Sequence, residues 1–303
     1  MKRTRVTVIL SAGVGRSGLP GELPSVRIIA HLSDLHFGRV DPATLPGLDA
    51  AVTAARPDVI VVSGDLTQRA RRSEFAAASR FLNSLPFPQV VIPGNHDVPL
   101  HNVIARGMAP FQAYRRGFRE QLEPLYVDEE IAILGINTAR ALTFKNGRIN
   151  LQQVEQSCAR LEACGPDVTR IIVTHHPFDV LGTGDERSLI GRARMAMTAF
   201  ARCRVDLILS GHLHVSRIGP SVVGCGGTGY APLLVQAGTA TSTRRRGEVN
   251  AFHLIRIDRP RLWVENLTWD NNRGAFCVTG TERFQHTLGG WSRSPVGDGC
   301  GFR

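Results

Sequence analysis

Lysine is almost missing from this chain: of its 36 basic residues only Lys2 and Lys145 are lysine, and the other 34 are arginine. The arginines are scattered along the sequence, so the net charge of +10 reads as an arginine-biased, solvated surface. It adds slightly to the case for an anionic substrate, and a nucleic-acid partner is not expected. No apolar run approaches the ~18 residues that cross a bilayer, which excludes membrane insertion as an expectation. Cysteine is sparse too. Cys158, Cys164, Cys203, Cys225, Cys277 and Cys300 form no C-x-x-C pair and lack the density of a small disulfide-stapled scaffold. Reduced thiols in a cytoplasmic protein are expected. Residues 1–26 place basic residues before Val6 to Leu10, an apolar stretch shorter than the roughly 7–15 residues of a secretory core. They read as a disordered extension outside the fold.

What is present is ordinary globular composition, 43% hydrophobic and 20% charged over 303 residues. Short β-rich apolar runs recur at Arg27–Leu32, Val59–Val62, Val90–Ile92, Ile131–Ile136, Arg170–Val173 and Val205–Leu209. Segments of helical spacing separate them. Leu45, Leu48, Val52 and Ala55 share one helix face closed by Pro57, and Phe75, Ala78, Leu82 and Leu85 share another, with Ser73 as its N-cap. Phe111, Tyr114 and Phe118 suggest a helix packed on the core, Asn150 caps a helix through Leu161, and a further helix covers 189–202. Strand–helix alternation implies parallel sheet covered by helices. The apolar segments 233–238, 250–257 and 261–268 lack intervening helices and read as antiparallel strands of a second sheet. Residues 271–303 show no periodicity and are expected to be a poorly ordered tail, leaving 27–270 as one domain.

Five of the apolar runs end in metal-type side chains: Asp34 with His36, Asp65, Asn95 with His96, His175 or His176, and His212 with His214. Six of the ten histidines lie in these clusters. His31, His101, His253 and His286 lie elsewhere and read as surface or hydrogen-bonded core histidines. In open α/β sheets, strand C-termini and their loops converge on one ligand site. In an extended segment, Asp34 and His36 project to the same face and can share one ion. A mixed nitrogen and oxygen donor set without thiolate suits Mn²⁺, Fe, Zn²⁺ or Ni²⁺ better than a cysteine-zinc site. About seven donors exceed the needs of one ion. Two ions, sharing Asp65, would activate a water for attack on a phosphoester.

The ordered blocks SDLH, GDLT, GNHD, THHP and GHLH resemble the calcineurin-like metallophosphoesterase superfamily, whose pattern is D-x-H, G-D, G-N-H-[DE], H and G-H-x-H. The resemblance implies an α/β fold, a four-layer α/β/β/α sandwich of two mixed sheets flanked by helices. It implies one metal on Asp34, His36, Asp65 and His214 and a second on Asp65, Asn95, His175 and His212. His175 is preferred to His176 because it comes first after the strand. Asn95 and His96 would meet the substrate, His96 giving a proton or hydrogen bond, and Asp97 would orient the His96 ring. A hydroxide between the metals would be the nucleophile. The segments HLSDLHFG, GDLTQ and Gly238-Thr239-Ala240 are most similar to bacterial class III cyclic-nucleotide phosphodiesterases and their glycerophosphodiesterase relatives. The substrate implied is a small phosphodiester, first a 3′,5′-cyclic nucleotide. A glycerophosphodiester, a nuclease substrate or a non-catalytic scaffold are the alternatives, and a homodimer is compatible with each. Arg69, just beyond Asp65, is a weaker candidate for the substrate phosphate, since charge runs before helices are commonly solvated.

Overall fold

The computed structural model describes residues 8–10, 26–100, 102–143, 145–179, 181, 189–221, 229–244 and 246–294. His101, Cys225 and Cys300 lie outside the described residues, as do most of 1–26 and the last residues of the chain. Two seven-stranded mixed sheets stack face to face. The first runs β1 (Val8–Leu10), β5 (Leu125–Val127), β6 (Ile131–Gly135), β7 (Thr169–Val173), β8 (Leu207–Ser210), β10 (Leu233–Gln236) and β9 (Arg217–Pro220). The second runs β14 (Gly290–Arg293), β13 (Ala275–Thr287), β12 (Arg261–Asp270), β11 (Ala251–Asp258), β2 (Arg27–Leu32), β3 (Val59–Val62) and β4 (Gln89–Val91). Helices α1 (Thr44–Ala55), α2 (Arg72–Ser84) and α4 (Gln112–Gly117) cover the outside of the second sheet, and α5 (Leu151–Glu162) and α6 (Ala193–Arg202) that of the first. The short α3 (Val103–Met108) follows β4. This is the α/β/β/α sandwich.

The strand sequences explain the layering. In Val59-Ile60-Val61-Val62, Val59 and Val61 face the interior between the sheets, where they meet Ile29, Val90, Ile133, Ile171, Val173 and Leu209. Ile60 and Val62 face outward, onto Leu48, Val52, Phe75, Ala78 and Leu82 of the helices. A strand buried on both faces must be apolar throughout, and each such side chain contributes about 1.5–3 kcal/mol by leaving water. Tyr114 is buried and gives its hydroxyl to the Val91 carbonyl, so the aromatic stripe of α4 is core.

Several expectations need correction. Residues 275–293 are not a tail: β13 and β14 extend the second sheet. Their only fully buried large side chains are Phe276, Phe284 and Trp291, too few and too far apart to leave a periodic signal. Residues 8–10 pair in parallel with β5 rather than lying outside the fold. Of the three late segments, only β11 and β12 join the second sheet; β10 lies in the first, parallel to β8. Ser73 is inside the first turn of α2, where Glu74 instead accepts the Arg69 and Arg71 amides at 2.8 and 3.2 Å. Cys158 and Cys203 are disulfide-bonded rather than reduced, because α5 and the end of α6 bring their Cα atoms to 5.7 Å. Cys164 and Cys277 are free thiols. No helix among the described residues is long and apolar enough to cross a membrane.

His253 is not a hydrogen-bonded core histidine. It faces His31 across β11 and β2, completely buried, and neither ring nitrogen has a hydrogen bond. Burial pushes its pKa down to about 4. The folded chain therefore keeps His253 neutral while the unfolded chain protonates it near pH 6.5. This stability contribution is complete above pH 6.5 and falls as pH drops from there toward 4. His253→Leu should lose about 2 kcal/mol less stability than the wild type between pH 7.5 and 5. Urea unfolding at the two pH values checks this; parallel losses would contradict it.

Candidate metal centre

β2, β3 and β4 run parallel in one sheet and β7 and β8 parallel in the other. The loops that leave their C-terminal ends meet. Asp34, His36, Asp65, His212 and His214 have φ of 52°, 48°, 52°, 72° and 57°. The extended backbone expected at Asp34 and His36 is thus absent. A left-handed conformation costs a residue with a Cβ on the order of 1 kcal/mol. Strain concentrated at these five positions is what a demand on side-chain direction produces.

Two donor clusters result. In the first, Asp34 Oδ1 lies 3.1 Å from His214 Nε2 and 3.5 Å from His36 Nε2, and the two nitrogens are 3.2 Å apart. Asp65 Oδ2 stands 3.7 Å from His36 Nε2. In the second, the same Asp65 Oδ2 is 3.3 Å from His175 Nε2, which is 3.1 Å from Asn95 Oδ1 and 3.3 Å from His212 Nδ1. Asp65 therefore belongs to both clusters.

The surrounding hydrogen bonds aim lone pairs inward. His175 Nδ1 donates to the Ser63 carbonyl at 2.9 Å and His214 Nδ1 to the Arg244 carbonyl at 2.6 Å, so each turns its Nε2 toward the clusters. Ser33 Oγ and the His212 amide hold Asp34 Oδ2, at 2.6 and 2.9 Å, and leave Oδ1 buried without a hydrogen bond. Imidazole lone pairs and an unpaired carboxylate oxygen at these separations fit divalent cations. His176 lies close enough to His175 and His212 to share an ion with them, but its ring nitrogens already have partners, the Lys145 carbonyl at Nε2 and Thr138 Oγ at Nδ1, both at 2.8 Å.

Electrostatics follow from crowding. Burial opposes the Asp65 carboxylate, but its charge interaction and hydrogen bond with His175 outweigh it and hold the group far below the usual carboxylate range. Against its own burial, Asp65 raises His175 to about 9. Burial and the neighbouring His175 lower His212 to about 3. Asp97 rises to about 7 through burial and the Asp65 charge, although four donors surround it.

Those four donors correct one expectation. Asp97 accepts from the amides of Gly94, Leu66 and Thr67 and from Thr67 Oγ, at 2.9, 3.1, 2.9 and 2.8 Å. It ties the β3 loop to the β4 loop and does not touch the His96 ring. The Gln68 carbonyl orients that ring instead, accepting from Nδ1 at 2.8 Å, while the His96 amide donates to Asp65 Oδ1 at 2.8 Å. Arg69 is exposed on the loop beyond Gln68, and Arg71 and Arg72 are exposed beside it. The residue that sequence reasoning missed is Arg244, whose Nη1 lies 2.8 Å from His96 Nε2. It opens an Arg-Arg-Arg run six residues after Gly238, a signal hidden by the abundance of arginine elsewhere.

Glycine is required where the loops touch. A Cβ on Gly94 would meet Asp65 Oδ1 at 2.2 Å, and one on Gly211 would meet Ser33 Oγ at 1.8 Å and Asp34 Oδ2 at 2.6 Å.

Histidine and carboxylate clusters where the strand-end loops of two stacked sheets meet are candidate metal sites. The model of the calcineurin-like phosphoesterase family matches residues 28–216, and the chain belongs to that family. It is 27% identical over 199 residues to a probable cyclic nucleotide phosphodiesterase of Synechococcus, covering 61% of this chain and 72% of that protein. Over 81 residues it is 35% identical to the glycerophosphodiester phosphodiesterase GpdQ of Enterobacter lignolyticus, 23% of this chain and 29% of that one. Among solved structures, a purple acid phosphatase from yellow lupin superposes with a TM-score of 0.65 at 14% identity, over 87% of this chain and 54% of that one. PhoD superposes with a TM-score of 0.67 at 10% identity, over 92% and 73%. These two likenesses concern the fold.

Gly211→Ala tests the close packing of the loops. Displacing Asp34 should weaken Mn²⁺ binding by roughly tenfold or more, with the far-UV circular dichroism unchanged. Wild-type affinity in a metal titration would contradict it.

Proposed function

We propose that this chain hydrolyses small phosphodiesters, with 3′,5′-cyclic nucleotides as the first substrate class. The observation that carries the reading is the pair of donor clusters that share Asp65 Oδ2, which lies 3.7 Å from His36 Nε2 and 3.3 Å from His175 Nε2. Asp34, His36, Asp65 and His214 would hold one divalent ion, and Asp65, Asn95, His175 and His212 the other. Mn²⁺, Fe, Zn²⁺ and Ni²⁺ all suit these donors. Bound there, such ions supply Lewis-acid activation of water and charge compensation for the phosphoryl oxygens.

The protein's own groups do the rest. His96, its Nδ1 anchored by the Gln68 carbonyl and its Nε2 beside Arg244, would serve the leaving or phosphoryl oxygen once protonated at Nε2. Asp97 fixes the backbone of both loops, so Asn95 and His96 hold their directions without induced movement. The name of the Synechococcus relative supports a cyclic nucleotide. A glycerophosphodiester is the second reading, favoured by the higher identity to GpdQ over its shorter stretch.

The test is metal reconstitution followed by a panel of cyclic AMP, a glycerophosphodiester, bis(p-nitrophenyl) phosphate and single-stranded DNA, on wild type and His96→Ala. The variant should keep its metal and lose roughly 10²–10⁴-fold of diester turnover. Equal turnover in both proteins removes His96 from the reaction. Cleavage of DNA with no cyclic nucleotide turnover removes the substrate reading.

A further inference from the structure

We infer that Arg244 is the phosphoryl-binding residue of this site. Its guanidinium is parked on His96 in the free protein and moves onto the non-bridging oxygens of the substrate. The inference rests on the phosphoesterase reading above and adds a residue that none of the five motif blocks contains.

The His96 contact is an unusual one for a guanidinium. Because the Gln68 carbonyl takes the Nδ1 proton, Nε2 carries a lone pair and the 2.8 Å contact is a donation from Arg244 to a neutral ring. Guanidinium donors match planar pairs of anionic oxygens far better than one imidazole nitrogen. Among the described residues, no carboxylate is ion-paired with Arg244; the nearby Glu248 accepts the Ser216 amide instead. A permanently charged group therefore stands at the mouth of the site on a partner it can exchange.

Its placement is rigid where that matters. The Arg244 carbonyl accepts from the ring of His214, and its amide donates to Ser242 Oγ at 3.1 Å. Thr239 Oγ and Thr241 Oγ donate to the Asp34 and Leu35 carbonyls at 2.7 and 2.8 Å, and Asn250 Nδ2 donates to the Ser242 carbonyl at 2.9 Å. The loop after β10 is thus pinned to the loop that carries Asp34 and His36. The Arg244 side chain itself is half-buried and touches the ring of His96. Asp65, His36 and the His96 ring offer ligand atoms within 4.8 Å of one another, so the ring that Arg244 touches borders the carboxylate shared by the two clusters. A phosphoryl group held at Asp65 and His96 comes within its reach. Transfer of the guanidinium to phosphate also frees His96 Nε2 to take up a proton from solvent, which it can then give to the leaving oxygen.

The test measures inorganic phosphate binding to the metal-loaded protein by calorimetry, together with diester kinetics and metal content. It compares wild type, Arg244→Ala, Arg244→Gln, Arg244→Lys and Arg261→Ala. The last removes an arginine paired with Asp258 at the opposite end of β11. Arg244→Ala and Arg244→Gln should weaken phosphate binding roughly tenfold to a hundredfold and raise KM more than they lower kcat. Lysine should restore part of the affinity, and Arg261→Ala should behave as wild type. Phosphate affinity unchanged in Arg244→Ala overturns the inference. Loss of metal in both the Ala and Gln variants overturns it equally, because Arg244 would then support the ligands rather than phosphate. A wild type that binds phosphate through Arg244 yet hydrolyses no diester leaves this inference standing and removes the proposed reaction.

Discussion

One buried carboxylate oxygen, Asp65 Oδ2, is the point on which the site depends. It faces His36, which follows a strand of the second sheet, and His175, which follows a strand of the first. Two buried carboxylates and four histidines at such separations form a mixed oxygen and nitrogen donor set that a divalent cation fits. The fold supports this crowding from outside. Five residues are held in left-handed backbone, glycine stands wherever two loops meet, and Asp97 ties the β3 and β4 loops through four hydrogen bonds.

The layered packing explains why the clusters form where they do. Both sheets bury apolar residues on both faces, so polar side chains are driven to strand ends. The interior between the sheets fixes how β3 and β7 stack, and the C-terminal loops of both sheets then meet over it. A histidine in that interior, His253, is an exception to this sorting and carries its burial as a depressed pKa.

The parts of the fold written in short-range pattern were legible in the sequence. Strands buried on both faces gave continuous apolar runs, and α1, α2 and α5 gave clean helical spacing. The five motif blocks held the candidate donors that the structure brings together because each lies immediately after a strand. What failed was long-range or one-sided. β13 exposes most of its side chains and so lacks alternation. The placement of β10 beside β8 depends on a crossover, which periodicity does not encode. Adjacency of Asp97 to His96 suggested a side-chain contact, whereas its partners are the amides of Gly94, Leu66 and Thr67 and the Thr67 hydroxyl. Arg244 was missed because 148 residues separate it from the His96 ring it touches.

The central claim is that Asp65 joins two metal sites into one centre. Metal content after reconstitution with Mn²⁺, measured by elemental analysis on wild type and Asp65→Ala, tests it most directly. The account predicts two ions per wild-type chain and loss of both in the variant, with the fold retained. A variant that keeps the wild-type metal content would contradict it.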